Sequence, residues 1–306
     1  MELRVLQYFL AVAREQSISA AAQSLHLTQP TLSTQLKALE DELGKQLLIR
    51  SSRGSRRVTL TEEGMILRRR AEEILSLVDK TEREISASDE TVAGDVYIGA
   101  AESSGFRFLA RAAGMLRERC PMVRFHISSG DRADVLEGLE RGVLDFALLF
   151  GNVDPSKYVV MPIPHADVWG ALMRRDHPLA EYKSVTAGQI LRERLIISRQ
   201  EFEGSLLQRF LERGASELDI VATYSLCYNA SLMVEQGLGI ALTLEGLVRT
   251  EGSELVFRPF SPALTDTLSV VWRKHQGLSR AAASYLSCLK EVFDQTKVVD
   301  YGEQER

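Results

Sequence analysis

Cysteine is scarce in this chain. Cys120, Cys227 and Cys288 lie far apart, with no CxxC pair and no histidine at metal-ligand spacing. That excludes a structural zinc site and a disulfide framework, and predicts three buried, inert thiols. No run of about 18 apolar residues occurs, so no transmembrane helix and no membrane partner are expected. The N-terminal MELRVLQYFLAVAREQ is amphipathic and carries acids. It lacks an apolar core followed by a small-residue cleavage site, which predicts no signal peptide and a cytoplasmic location. Catalytic and nucleotide motifs are missing too: no GxSxG, no P-loop, no GxGxxG after a strand and no HExxH. His26, His126, His165, His177 and His275 are scattered and read as structural or exposed. These absences argue against an enzyme and against an exported solute-binding protein. They predict neither cofactor nor metal.

What is present is a globular composition, 45% hydrophobic and 26% charged over 306 residues, long enough for two or three compact units. The net charge of −5 conceals an asymmetry. Residues 1–70 hold 11 Lys and Arg against 7 Asp and Glu, and the remainder hold 26 against 35. Lys45, Arg50, Arg53, Arg56 and Arg57 fall within 13 residues that contain no acid. One basic patch on an acidic chain suggests a single polyanion-binding element.

That patch ends a run of helical signals. Leu6, Phe9, Leu10 and Ala13 recur at helical steps over Leu3–Glu15. Ser17 or Ser19 can cap a second helix holding Ala20, Ala21, Ala22 and Leu25. The turn is His26-Leu27-Thr28, with Leu27 expected to plug the core. Thr28 caps a third helix, and Gln29 and Pro30 stand in its first turn, where proline's missing N–H costs nothing. Leu32, Leu36, Leu39 and Leu43 form an apolar stripe, while Gln29, Thr31, Ser33, Thr34 and Lys37 lie opposite. A groove-reading helix needs this division: leucines to hold it, short polar side chains to reach base edges and phosphates. Helix, turn, helix and basic wing predict binding to double-stranded DNA. Gln29, Pro30, Thr31, Ser33, Thr34, Lys37, Arg50 and Arg53 are the candidate contacts.

The stretch TQPTLSTQLKALEDELGKQLLIRSSRGSRRVTLTEEG resembles the signature of LysR-type transcriptional regulators. The resemblance is carried by Gln29-Pro30, Ser33, Gln35, Leu39-Glu40, Leu43-Gly44, Leu47, Arg50, Leu60-Thr61 and Gly64. It implies that Gln29, Pro30, Ser33 and Arg53 sit at DNA-contacting positions. Two departures stand out: Leu48 where the family usually has phenylalanine, and Thr34 where a basic residue is common. Operator preference therefore does not carry over.

Thr61 is a natural N-cap followed by Glu62 and Glu63, and no proline occurs from there until Pro121. Leu67, Ala71, Ile74, Val78, Thr81 and Ile85 step by 4, 3, 4, 3, 4, a heptad seam. A helix over 61–88 would be roughly 42 Å long. Its charged flanks favour pairing with a second copy through Leu67, Ala71, Ile74 and Val78, and the family's linker-helix dimer agrees. The polar segment 86–94 ending in Gly94 reads as a hinge.

From Asp95 the pattern alternates between strand and helix. Val96–Ala100, Met122–Ser128 and Phe146–Phe150 read as strands, with helices at 107–119 and 134–141 between them. A second set runs through Val168–Met173, Leu195–Ser198, Ile220–Tyr224 and Gly239–Thr243. Thr267–Trp272 returns to the first sheet and 279–293 closes as a helix. This α/β rhythm implies a parallel sheet in two lobes, with a ligand cleft at the strands' carboxyl ends. Ser103, Ser104, Ser129, Phe150, Ser198 and Thr223 are the candidate effector contacts, although each hydroxyl also reads as a plain helix cap. Short hydroxyls beside free N–H groups suit a small polar metabolite or anion. Glu102 is unusual company for an anion.

RRDHPLA (174–180) and QGLGIAL (236–242) extend the resemblance, which implies a periplasmic-binding-protein-like effector domain. The expected organisation is a winged helix-turn-helix over 1–60, a linker and dimerisation helix over 61–90, and an effector-binding domain over 91–306. Its lobe I spans about 95–163 and 268–295, and its lobe II about 164–267. The expected function is a DNA-binding transcriptional regulator, acting on an interrupted palindromic operator as a homodimer or homotetramer and responding to a small-molecule effector. RNA polymerase is a further expected partner. A ligand-independent repressor or architectural DNA protein is the alternative, against which the sensor-like half, over 200 residues long, argues.

Overall fold

The computed structural model describes residues 1–50, 57–86, 92–203, 206–212 and 215–303. The chain divides into two compact units, Met1–Ser86 and Ala87–Arg306.

The first unit opens with α1 (Leu3–Glu15), α2 (Ile18–Ser24) and α3 (Gln29–Leu43). Ser17 caps α2, its Oγ accepting from the Ala20 N–H at 3.3 Å, and Thr28 caps α3, accepting from the Thr31 N–H at 3.4 Å. Gly44 ends α3 at φ 62°, a left-handed cap that glycine adopts without a Cβ penalty. Phe9, Val12, Ala21, Ala22, Leu32, Leu36 and Leu39 form the shared core. Leu25, not Leu27, packs against it, because the chain turns through His26 in a left-handed conformation (φ 56°). Leu43 is 42% exposed, one turn beyond the buried stripe.

The wing is more regular than its composition suggests. β1 (Leu48–Arg50) and β2 (Val58–Leu60) pair antiparallel, with Leu48 opposite Leu60. Glu40 Oε1 accepts from the N–H groups of Leu47 (2.8 Å) and Leu48 (3.0 Å), tying α3 to the wing. Leu48 is buried in the core, so leucine at this position is a packing residue. α4 (Glu62–Ser86) follows, its first turn capped by Thr61, whose Oγ1 accepts from the Gly64 N–H at 2.9 Å. A Cβ on Gly64 would lie 2.2 Å from the Leu47 carbonyl oxygen, so only glycine lets α4 pass this close to the wing.

The second unit is a mixed α/β structure. In lobe I, β3 (Gly94–Ala100) pairs in parallel with β4 (Val123–Ser129) and β5 (Phe146–Phe150). α5 (Phe106–Arg119) and α6 (Arg132–Glu140) connect these strands. β6 (Tyr158–Arg174) then runs through both lobes. Lobe II holds β7 (Val185–Thr186), α7 (Ala187–Ile190), β8 (Leu195–Ser198), α8 (Arg199–Glu203) and α9 (Leu206–Leu211). It continues with β9 (Ile220–Tyr224), α10 (Cys227–Glu235), β10 (Ile240–Leu244) and β11 (Leu255–Ser261). β12 (Thr265–Arg273) returns to lobe I, and α11 (Arg280–Glu303) closes it.

The strand order β4-β3-β5-β12-β6-β10-β8-β9 places antiparallel strands in the middle. This corrects the expectation of a parallel sheet: β8 is parallel to β9 and β10, whereas β12 is antiparallel to β5 and β6, and β6 to β10 and β11. Each lobe has its own core. Tyr285 anchors lobe I, fully buried, its hydroxyl donating to the Leu109 carbonyl at 2.9 Å and its ring meeting Phe125 and Phe146 edge-on. Leu195, Ile240, Leu242 and Phe260 anchor lobe II, where Phe260 stacks on Phe210 at 4.7 Å. Cys227 and Cys288 are buried and Cys120 half-buried, all as free thiols. Burial pushes the Cys227 thiol up to about 11 and raises Cys288 as well, so both stay protonated at neutral pH.

Candidate nucleic-acid interface and effector cleft

The leucine stripe settles which face of α3 is free. With Leu32, Leu36 and Leu39 each 2% exposed or less, Gln29, Pro30, Thr31, Thr34 and Lys37 are exposed and Ser33 is half-buried. The face is partly ordered by its own bonds. Ser19 Oγ donates to Gln29 Oε1 at 3.0 Å, Thr28 and Thr31 share a hydroxyl contact of 2.7 Å, and Thr34 Oγ1 donates to the Pro30 carbonyl at 2.9 Å. Thr34 therefore offers outward an acceptor and a methyl group. Backbone Arg50 ends β1, and Arg53 and Arg56 lie outside the described residues.

The seam of α4 divides in two. Ala71 is fully buried and Leu67 packs on the helix-turn-helix core, so this part lies along α1 of the same chain. Ile74 and Val78 are half-buried, and Met65, Ile66, Leu77 and Ile85 are exposed. The sequence pattern did not separate these roles, because both faces of a long helix carry apolar residues at compatible spacing.

In the second unit, a cavity of about 340 Å³ lies between the lobes, where the parallel strands end. Lobe I contributes Ala100–Glu102 after β3, Ser129–Asp131 after β4, Asp134 and Phe150. Lobe II contributes Trp169, Ser198–Glu201, Tyr224–Leu226, Thr243, Leu244 and Leu247. This is the position expected for a ligand in a doubly wound sheet.

Of the six residues expected from sequence, Ser129, Phe150 and Ser198 line the cavity, and Ser103, Ser104 and Thr223 do not. Ser103 is buried and donates to Asp167 Oδ2 at 2.5 Å. Ser104 bonds His165 Nε2 at 2.8 Å and Asp167 Oδ1 at 3.1 Å. Both hydroxyls are consumed by a buried aspartate on β6. Thr223 is exposed because strand alternation turns it away while its neighbour Tyr224 faces in. The sequence reading missed Asp131, Asp134, Trp169 and Glu201 as cavity residues. The first two were hidden in a helix start, Trp169 in the body of a strand and Glu201 in a short helix.

The cavity's charges are unequal. Arg199 pairs with Asp131 at 2.6 Å and stands 3.7 Å from Asp134. The Asp134 backbone N–H, and then Arg199, hold the Asp131 carboxyl below the usual range against the cost of burial. Glu102 Oε2 accepts from the Cys227 N–H at 2.7 Å. Burial raises the Glu201 carboxyl, although it accepts from the Leu207 N–H at 3.3 Å.

Comparison with known proteins agrees with both units. Residues 3–65 match the bacterial regulatory helix-turn-helix protein model of the lysR family, and residues 89–294 match the LysR substrate binding domain. The chain is 24% identical over 297 residues to YvbU of Bacillus subtilis, an uncharacterized HTH-type transcriptional regulator, covering 96% of this chain and 99% of that protein. It is 29% identical over 303 residues to the similarly described YnfL of Escherichia coli, covering 93% and 96%. Full-length CbnR complexed with its target DNA shares the fold, with a TM-score of 0.74 at 18% identity, covering 95% of this chain and 100% of that one. Two family models, one for each unit, together span nearly the whole sequence, and the chain belongs to the LysR family of DNA-binding transcriptional regulators with an effector-binding domain.

Proposed function

We propose that this regulator binds an interrupted palindromic operator as a dimer or tetramer and changes its DNA affinity when a small molecule occupies the cleft between its lobes. One observation carries the reading: α3 buries its leucines and leaves Gln29, Thr31, Thr34 and Lys37 exposed on the opposite face. Gln29 suits a bidentate contact to adenine, while Ser33, Thr34, Lys37, Arg50 and Arg53 suit phosphates and neighbouring bases. One recognition helix buries little surface, so pairing through α4 joins two readers whose energies add. Residues 1–60 then act as reader, 61–90 as linker and 91–306 as sensor. Such a target implies a cytoplasmic working location.

A ligand shifts DNA binding only by its difference in affinity between two arrangements of the protein. A footprint on the DNA upstream of its own gene, with and without metabolites, tests the reading. The expected pattern is two protected half-sites separated by about one helical turn or a multiple of it, altered by a ligand. Uniform protection no stronger than on random duplex contradicts it. A specific footprint that no ligand changes favours a ligand-independent repressor.

A further inference from the structure

Two bonds cross the cleft from one lobe to the other. Arg199, the first residue of α8 in lobe II, donates from Nη2 to Asp131 Oδ2 of lobe I at 2.6 Å and stands 3.7 Å from Asp134 Oδ2. At the start of α10 in lobe II, the Cys227 N–H donates to Glu102 Oε2 of lobe I at 2.7 Å. The first is an ion pair, and the second joins a carboxylate to the positive end of a nine-residue helix, so both are charge-assisted. Glu102, Asp131 and Arg199 all line the cavity.

The ion pair is built on groups that are already ordered. Asp131 Oδ1 caps α6, accepting from the Asp134 N–H at 3.0 Å, while Oδ2 reaches across to Arg199. One carboxylate therefore serves its own lobe and the opposite lobe at once. Ser198 Oγ accepts from the Glu201 N–H at 3.1 Å and so fixes the start of α8, where Arg199 stands. An exposed ion pair between two free side chains contributes little, because ordering both offsets the attraction. Here the Asp131 side chain is only 25% exposed and is held by its cap before the pair forms. The lobes have separate cores, and the chain crosses between them in β6 and β12, so bonds across the cleft bear directly on their separation. Phe150, packed against both cores, adds an apolar contact between the lobes.

We propose that the Arg199–Asp131 ion pair and the Glu102–Cys227 bond form a two-point latch that holds the two lobes together across the cleft. Each bond keeps the lobes close enough for the other to form, so the two act as one. Resting on the reading of this cleft as the effector site, the latch opposes any ligand that needs a wider cleft, and such a ligand must break it to bind.

Hydrogen exchange of the full-length protein, followed by mass spectrometry with neither ligand nor DNA present, tests this. Breaking one point of the latch is expected to loosen the other. Arg199→Gln, which removes the ion pair, should speed exchange about threefold or more over residues 226–230, where Glu102 holds the start of α10. Glu102→Ala should do the same over residues 131–135, where Asp131 caps α6. The two substitutions together should add little to either alone. Asp131→Asn, which keeps a capping oxygen, should reproduce the Arg199→Gln effect in smaller measure, because Asp134 stays within reach of Arg199. Faster exchange confined to the residues beside each substitution shows two independent local bonds and overturns the latch, as does unchanged exchange throughout. If Arg199→Gln also speeds exchange in the cores of both lobes, Asp131→Asn decides by the same criterion. Because no ligand enters the test, its failure leaves the cleft standing as effector site, and a cleft that binds no ligand leaves the latch standing.

Discussion

In the proposed reading Gln29 and Arg53 make two kinds of contact, and single substitutions separate them. Gln29→Ala removes a base-edge contact, so it is expected to cost about 1–3 kcal/mol at one base pair and to leave random DNA nearly unchanged. Arg53→Ala removes a phosphate contact, so it should weaken all sequences alike and lower the slope of log affinity against log salt by about one. Anisotropy titrations at several salt concentrations check both, and an equal loss on specific and random DNA for Gln29→Ala refutes its assignment. Glu201 gives a prediction of stability. Its carboxyl is raised in the folded chain by burial, so the folded state holds its proton to higher pH than the unfolded state. The associated stability is fully present below the ordinary carboxylate range and is lost as pH rises through the raised value. Glu201→Gln should therefore melt higher than the parent at pH 7, with the gain vanishing in acid. Thermal scans at both ends of that range decide it, and a gain independent of pH is the contrary result. At this scale the sequence showed which hydroxyls follow strands. It did not show that Asp167, distant in sequence, would claim those of Ser103 and Ser104.

Elements were legible where local periodicity and packing agree. α1 and α3, β5, β8 and β9 follow from their own apolar spacing, and each belongs to a core that rewards that spacing. Prolines hid others. Pro162 and Pro164 interrupt the first half of β6 and Pro259 interrupts β11, and proline reads as a strand breaker, although β6 and β11 are held by antiparallel neighbours on the remaining N–H groups. The wing's strands were hidden by their length, three residues each, too short to show an alternating pattern. α4 was legible as a long helix, but its heptad spacing did not show that its first half packs on the chain's own core. Leu67 and Ala71 meet the chain's own core, which leaves Ile74 and Val78 as the central test of pairing. Ile74→Glu should halve the mass seen by light scattering with little loss of helical circular dichroism, since a charge in a seam between copies is left unpaired. A dimer of unchanged mass shows that another surface joins the copies.

The whole molecule joins a small basic DNA-binding domain to a larger acidic effector-binding domain, an asymmetry already visible in the charges of residues 1–70 against the rest. Two lobes, a cleft at the carboxyl ends of parallel strands and a reader with a leucine-backed polar face follow from patterns that any one segment displays. The cleft's charge balance does not, because it depends on carboxylates from β3, α6 and α8 meeting at one place. Sequence-selective DNA binding is the claim on which the rest depends. Competition titration at moderate salt measures it most directly, setting duplex from upstream of the protein's own gene against random duplex of equal length. The upstream DNA should bind more tightly by a factor of about 10³ or more. Equal affinity for the two duplexes would contradict the account.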